Sequence, residues 1–296
     1  EAGSVCSEVC MTLILIAEAC CRRMKYRFHL GNGGLSEQVM HELLRTLSRD
    51  GAKNSAKMAH ILNLLARYRA REIGAALYSS GGALVRSGPF RGMTMHNRAS
   101  EGNVAPKLLG CYEQELHEVI ERCIESAYEC VVNIGCGDGY YAVGMARRMP
   151  NCEIKAYDLN KERRAFSRIT ADENGVGGRV TIGSECNAEE LAALAGRHVL
   201  VVCDIEGGER ELLDPERIPA LKGFDILVEL HEVLDKAMPE EILSRFTESH
   251  EIERIQHQGR DPNAFTELEK ASHLDQWLAL WEGRQGPTPW AFLSAK

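Results

Sequence analysis

The chain has 296 residues, of which 44% are hydrophobic, so it can bury a large core in one big domain or in a domain with an appendage. Its eleven cysteines are an odd number and form no C-x-x-C pair, which favours reduced thiols in the cytoplasm over a disulfide framework. The apolar run 11–17 is too short for a membrane span, which needs about 20 residues. We therefore expect a cytoplasmic protein without a membrane partner.

The charges are distributed unevenly along the chain. Residues 1–105 carry 14 Lys and Arg against 8 Asp and Glu, a net charge of +6, whereas residues 106–296 carry 21 against 35, a net charge of −14. This change predicts a boundary near residue 105. The basic half could meet an anionic partner such as RNA, but its three closely spaced arginines also fit a solvated helix face: Arg67, Arg69 and Arg71.

The first hundred residues predict helices. Apolar residues recur at spacings of three and four in the ranges 5–27, 35–49 and 55–78. Their apolar faces need covering, so we expect residues 1–105 to cap the second domain or to pair two chains as a homodimer. Four cysteines in the first range match neither a zinc pattern nor an iron–sulfur cluster motif and are expected to be buried thiols: Cys6, Cys10, Cys20 and Cys21.

From residue 129 onward, signals for strands and helices alternate. Strands are predicted at 130–134, 153–157, 179–183, 198–203, 224–230, 252–258 and 290–294. Helices are predicted at 113–128, 139–149, 161–173, 187–195 and 208–221. The expected fold class is therefore α/β, with a Rossmann-like seven-stranded, mostly parallel sheet, helices on both of its faces, and an additional N-terminal helical region.

A glycine-rich turn follows the first predicted strand, where residues 135–139 read G-C-G-D-G. Glycines at such a turn let the backbone approach a ligand closely, and the following helix offers free N–H groups at its N-terminus. A dinucleotide site needs glycine or alanine at the next position, which is occupied by the bulky Tyr140. The turn therefore predicts a nucleotide-like cofactor that is not a dinucleotide.

The G-x-G-x-G turn resembles the first motif of class I S-adenosylmethionine (SAM)-dependent methyltransferases. Residues 204–209, D-I-E-G-G-E, resemble the D-x-E-G-x-E signature of FkbM-like methyltransferases, many of which methylate hydroxyl groups on sugars and other natural products. The resemblance covers residues 106–296. It implies SAM as cofactor and O-methylation of a small-molecule acceptor, sugar-like or from natural-product biosynthesis. The alternatives are methylation of RNA and a SAM-binding scaffold without catalysis.

Three predicted strands end in polar residues that suit a cofactor site. Asp158 stands nineteen residues after Gly139 and can accept hydrogen bonds from both ribose hydroxyls. Asn187 follows the third strand, where methyltransferases contact adenine, although Asn is also an ordinary helix N-cap. The resemblance also implies that the segment before the first strand contributes to the cofactor site. The full cofactor-binding set that it implies is Tyr112, Glu113, Asn133, Gly135, Cys136, Gly137, Asp158, Leu159, Asn187 and Asp204.

Methyl transfer from a sulfonium is an in-line displacement, so the enzyme must align an acceptor hydroxyl and remove its proton near neutral pH. His231 lies two residues after Glu229, at the end of the fifth predicted strand, and its near-neutral pKa suits a general base. Glu206 could position the hydroxyl. We predict His231, Glu206 and Glu229 as catalytic residues without a metal, and leave open the alternative that Asp204, Glu229 and His231 bind a divalent ion.

Overall fold

A computed structural model of the chain describes residues 33–96, 103–232, 235–284, 286 and 288–296. The predicted helix at 5–27 and its four cysteines (Cys6, Cys10, Cys20 and Cys21) lie outside the described residues. The chain forms two compact units, residues 1–61 and 62–296. This division differs in position from the charge boundary near residue 105, and a separate role for residues 1–105 stays a prediction.

The first unit contains helix α1, Gly33–Ser48, and the beginning of helix α2, Asn54–Gly81. Both helices were predicted within a few residues. Two contacts join them inside this unit. Lys57 Nζ donates a hydrogen bond to the carbonyl of Leu47 at 2.9 Å. His60 Nε2 lies 3.6 Å from the carboxylate of Glu42.

The second unit is built on one seven-stranded sheet. Its strands are β1 Cys130–Ile134, β2 Glu153–Tyr157, β3 Val180–Gly183, β4 Val199–Cys203, β5 Asp225–Glu229, β6 His250–Ile255 and β7 Trp290–Ala295. Their order is β3-β2-β1-β4-β5-β7-β6. The pairs from β3 through β5 are parallel, and β7 runs antiparallel to both of its neighbours. The predicted Rossmann-like, mostly parallel sheet is confirmed.

The central strands β1 and β4 are buried along their whole length. A sheet covered on both faces buries both sides of its strands, which is why these segments read as nearly continuous apolar runs. The strand order reverses between these two neighbours, because the chain leaves β1 towards β2 and β3 and returns at β4. Ligands bind at such a switch point, outside the carboxyl ends of the strands.

The helices of the second unit flank the sheet. Those described after α2 are α3 Val104–Leu109, α4 His117–Glu125, α5 Tyr140–Arg148, α6 Lys161–Glu173, α7 Ala188–Ala192, α8 Glu209–Leu212, α9 Met238–Ser244 and α10 His273–Leu280. None of the helices in the described ranges has both the length and the apolar character of a membrane span.

One helix prediction, at 208–221, is wrong over most of its length, because α8 has only four residues. Pro215 disfavours a helical conformation for the residue before it, Asp214. The carboxylate of Asp214 instead accepts hydrogen bonds from the N–H groups of Glu216 and Arg217, at 2.9 and 3.3 Å. This local turn competes with the helix and ends it.

Residues that precede the predicted boundary at 105 help to form the core of the second unit. Ile73 and Leu77 of α2 and Phe90, Met93 and Met95 of the following segment are buried in the same hydrophobic cluster as the sheet. This part of the N-terminal half is therefore integral to the unit that carries the sheet. Dimerisation through the N-terminal helices stays a prediction.

Candidate functional site

The glycine turn lies directly against the ends of two strands. Gly135 has a φ of 82°, and a Cβ atom at this position would lie 1.7 Å from the backbone oxygen of Asp204. The N–H of Gly137 donates a hydrogen bond to the carboxylate of Asp158 at 3.0 Å. Only a residue without a side chain fits at position 135. The turn thus brings four of the predicted residues together at the switch point of the sheet.

A cleft of about 600 Å³ opens over the carboxyl ends of β2, β3 and β4. This volume lies in the range of small-molecule sites in proteins. Six residues predicted from the sequence line it: Gly135, Asp158, Leu159, Asn187, Asp204 and Glu206. Other residues that line the cleft, Arg163 and Ile205 among them, were not predicted from the sequence.

Asp158 both shapes the glycine turn and faces the cleft. One carboxylate oxygen accepts the N–H of Gly137 at 3.0 Å, and the other accepts the N–H of Asn160 at 2.8 Å. Arg163 lies 3.9 Å from the same carboxylate. A carboxylate has about four lone-pair sites, so Asp158 keeps the capacity to accept ribose hydroxyls as well.

Asn187 caps a helix. Its side-chain oxygen accepts the N–H of Glu190 at 2.9 Å, and the Glu190 carboxylate accepts the N–H of Asn187 at 3.3 Å. The two bonds form a capping box at the start of α7. The N-cap interpretation is confirmed, while the contact of Asn187 with adenine stays a prediction.

A small cavity of about 20 Å³ also lies at the glycine turn, lined among others by Tyr112, Asn133 and Cys136. Asn133 is only 2% exposed, and its side-chain oxygen has no hydrogen-bond partner in the described part of the chain. Burial raises the pKa of the Cys136 thiol to about 12, so this residue contributes a neutral wall. Lys107 was not predicted as a site residue. Its Nζ lies 2.7 and 2.9 Å from the buried carboxylate of Asp138 at this cavity.

Glu113 is placed differently from its predicted role. Among the described residues, those that line the cleft and the small cavity do not include Glu113. Its buried carboxylate instead contacts Arg284 and accepts a hydrogen bond from the Tyr141 hydroxyl. The structure places Glu113 in contact with Arg284 and Tyr141, and its role as a cofactor ligand stays a prediction.

Arg284 joins three buried carboxyl groups behind the site. Its guanidinium donates hydrogen bonds to Glu113 and Glu229, and its Nε donates to Glu282 at 3.0 Å. Arg284 was not predicted as a site residue, because it stands in a loop without a recognisable motif. This ion network fixes one carboxylate oxygen of Glu229 and leaves the other facing His231.

We expect substitution by Gln to lower the unfolding free energy only slightly at Glu113 and strongly at Glu229. Burial raises the pKa of Glu113 to about 8, against the opposing effect of Arg284, so it is protonated at neutral pH. Burial would also raise the pKa of Glu229, but His231 and Arg284 outweigh it and hold this pKa at about 2. Glu229→Gln should cost roughly 3–5 kcal/mol of unfolding free energy, the cost of breaking a buried ion pair. Glu113→Gln should cost about 1 kcal/mol.

Urea denaturation at pH 7 measures both effects. Because the folded-state pKa of Glu113 lies above its ordinary value of 4.5, the wild-type protein should lose stability as the pH rises from there to about 8. The Glu113→Gln variant should lack this loss between about pH 4.5 and 6.5, above which the raised pKa of His231 also lowers stability as the pH rises. Equal destabilisation by the two substitutions would contradict the assigned protonation states.

His231 lies among four carboxylates and is 4% exposed. Its Nε2 is 3.1 Å from Glu229 and 3.5 Å from both Asp204 and Glu206, and its Nδ1 is 3.2 Å from Glu209. Burial would lower its pKa, but the carboxylates of Glu209 and Glu229 outweigh this and raise the pKa to about 10. A protonated imidazole has no lone pair to accept a proton. These surroundings favour the protonated form of His231, and its role as general base stays a prediction.

The D-I-E-G-G-E segment is a loop held by its last residue. Glu209 is buried, and its two carboxylate oxygens accept the N–H groups of Ile205 and Gly207 at 2.7 and 2.8 Å. Glu206 and Gly207 both have positive φ, 55° and 105°. The resulting turn directs the Glu206 side chain outward, where it is 71% exposed at the cleft. Glu209 is the last residue of the signature, but its role as the anchor of this loop was not predicted from the sequence.

Comparisons with known proteins give distant structural likenesses only. No family model matches the sequence. No curated protein matches it at a significant level. Among solved structures, an O-methyltransferase of tomaymycin synthesis from Streptomyces achromogenes, in complex with SAM, is 16% identical, with a TM-score of 0.42 over 64% of this chain and 83% of that one.

Two other solved structures resemble the chain to a similar degree. An O-methyltransferase from Bacillus cereus, in complex with SAH, is 10% identical with a TM-score of 0.40, over 91% of this chain and 94% of that one. A precorrin-6y C5,15-methyltransferase from Geobacter metallireducens is 18% identical with a TM-score of 0.41, over 61% of this chain and 89% of that one. Because these values are low, the activity of this chain is inferred from its own residues.

Proposed function

We propose that the chain is a SAM-dependent methyltransferase that acts on a hydroxyl group of a small-molecule acceptor. The observation that carries the proposal is the meeting of the glycine turn and Asp158 at the switch point of the sheet, beside a cleft of about 600 Å³. The cleft is large enough for a nucleoside. The smaller cavity at Lys107 and Asn133 then lies on the side of the methionine part of SAM.

The residues present suit this cofactor in three places. Asp158 retains lone pairs for the ribose hydroxyls. Leu159 is 79% exposed at the cleft and offers an apolar surface for the adenine ring. The partnerless oxygen of Asn133, among the described residues, offers an acceptor to the ammonium group of the methionine part. When bound, SAM supplies an electrophilic methyl group.

On the acceptor side, the chain offers a carboxylate rather than a neutral histidine. The turn at Glu206 and Gly207 presents the Glu206 side chain to the cleft, next to Asp204. We propose that Glu206 accepts a hydrogen bond from the acceptor hydroxyl and aligns its oxygen for in-line attack. The likeness of this segment to the FkbM-like signature supports a sugar-like or other natural-product acceptor as part of the same proposal.

Methylation of RNA receives less support from the charged residues. Two of the three arginines that make α2 basic are engaged within the chain. Arg67 donates to the carbonyl of Gly283 at 2.9 Å, and Arg69 binds both carboxylate oxygens of Asp275 at 2.7 and 2.8 Å. Near the cleft, Glu185, Glu206 and Glu211 present negative charge, which repels a phosphate backbone.

Isothermal titration calorimetry of the intact protein with SAM, SAH and NAD tests the cofactor. We expect SAM and SAH to bind at one per chain and NAD not to bind. Transfer of a radiolabelled methyl group to a panel of sugars and phenols, with total RNA as a parallel substrate, then tests the acceptor. The absence of SAM binding would overturn the proposal, and binding without transfer to any acceptor would favour the scaffold alternative.

A further inference from the structure

We propose that Asp204, Glu209 and His231 form a binding site for a divalent transition-metal ion at the acceptor end of the cleft. Each of the three offers one ligand atom, and these atoms lie within 4.8 Å of one another. Two ligands of one ion, each at about 2.0–2.2 Å, can be up to about 4.4 Å apart. A small contraction of the cluster would therefore complete the coordination.

The imidazole of His231 provides a second, independent indication of a ligand. The ring is 96% buried, since its exposure is 4%, and its Nδ1 makes no hydrogen bond with any residue in the described ranges. This nitrogen points towards Glu209, whose Oε1 is 3.2 Å away. A buried polar atom without a hydrogen bond costs about 1–3 kcal/mol. Coordination to a metal would satisfy it, with the ion displacing the proton of the imidazole.

The negative charge around the cluster exceeds what one protonated imidazole offsets. Four carboxylates lie within 3.5 Å of the His231 ring: Asp204, Glu206, Glu209 and Glu229. Among their described neighbours, Arg284 contacts Glu229, on the side away from the ring. Like charges at such short distances repel strongly when they are partly buried. A divalent ion beside Asp204 would offset this repulsion.

The donor set favours a transition metal over magnesium or calcium. Mg²⁺ and Ca²⁺ prefer oxygen ligands alone, whereas imidazole nitrogen suits ions such as Zn²⁺ and Fe²⁺, and Mn²⁺ accepts carboxylates well. Glu209 is already oriented by its bonds to the N–H groups of Ile205 and Gly207, which is the outer support that metal ligands usually have. Asp204 lines the cleft and gives an ion access from solvent.

Titration of the intact protein with Mn²⁺ alone, followed by electron paramagnetic resonance, tests the site without SAM or an acceptor. We expect one bound Mn²⁺ per chain, with electron spin-echo modulation from a directly coordinated imidazole nitrogen. His231→Ala should remove this modulation. Both His231→Ala and Asp204→Asn should weaken Mn²⁺ binding by about tenfold to 100-fold. Glu173→Gln, a matched change of an exposed carboxylate at the end of α6, should bind Mn²⁺ like the wild type.

Three outcomes would overturn the site. The first is that the wild type does not bind Mn²⁺ stoichiometrically, and the second is that bound Mn²⁺ shows no coupled imidazole nitrogen. The third is that Asp204→Asn and Glu173→Gln weaken Mn²⁺ binding equally. Displacement of Mn²⁺ by an equal concentration of Mg²⁺ would overturn the preference for a transition metal. The wild-type spectrum decides the first two questions even if a variant does not fold. SAM binding is measured separately, so failure of the proposed methyltransferase and failure of the metal site are distinguishable.

Discussion

Replacing Asp158 by Ala is expected to weaken SAM binding by roughly 1.5–3 kcal/mol, which is about tenfold to 150-fold. The substitution removes the proposed acceptor for the ribose hydroxyls. It also removes the carboxylate that holds the N–H groups of Gly137 and Asn160, so the glycine turn itself loses an anchor. Because both losses act on the same ligand, we expect the effect to lie towards the upper end of this range.

Calorimetry with SAM and with SAH measures the affinity, and thermal unfolding of the same samples reports any loss of folded protein. Asp158→Asn is the matched variant, because its side-chain oxygen can still accept one of the two backbone hydrogen bonds. We expect it to bind SAM with an affinity between those of the wild type and the Ala variant. Undiminished SAM binding by a folded Asp158→Ala protein would remove this residue from the site.

Elements with a strong local pattern could be predicted from the sequence. The strands at 130–134 and 153–157 and the helix at 161–173 are found at the residues expected, because each is a clear apolar or amphipathic segment between polar breaks. The predicted helix at 208–221 failed because the turn of Asp214 before Pro215 opposes its helical periodicity. Local hydrogen bonds of an Asp side chain outweighed the pattern there.

The strand-end residues of the site could also be predicted, since the carboxyl ends of parallel strands meet at one edge of a sheet. Asp158 and Asp204 are examples. Pairings between distant segments could not. Arg284 contacts Glu229, 55 positions away, and Glu113, 171 positions away, and no local pattern connects them. The pKa of His231 is raised by Glu209, 22 positions away, as well as by the neighbouring Glu229, and no local pattern revealed the contact with Glu209.

Gly135→Ala is a second substitution for which we expect a large loss of stability. Its new Cβ would lie 1.7 Å from the backbone oxygen of Asp204, and backbone cannot move aside as a flexible side chain can. The position also has a φ of 82°, which disfavours any residue with a side chain. Backbone strain of about 1–3 kcal/mol and overpacking of about 1–3 kcal/mol together predict a loss of roughly 2–6 kcal/mol in unfolding free energy.

Gly175→Ala separates these two causes. Gly175 has a similar φ of 69°, but no atom lies within 4 Å of the Cβ that Ala would add, so only the strain of the left-handed conformation applies. We expect it to cost about 1–2 kcal/mol and to leave SAM binding unchanged. Urea denaturation and SAM calorimetry on both variants provide the comparison. If both lose the same stability, the φ angle alone accounts for the glycine at 135. If Gly135→Ala loses more and no longer binds SAM, the close approach of the turn to β4 is what the site requires.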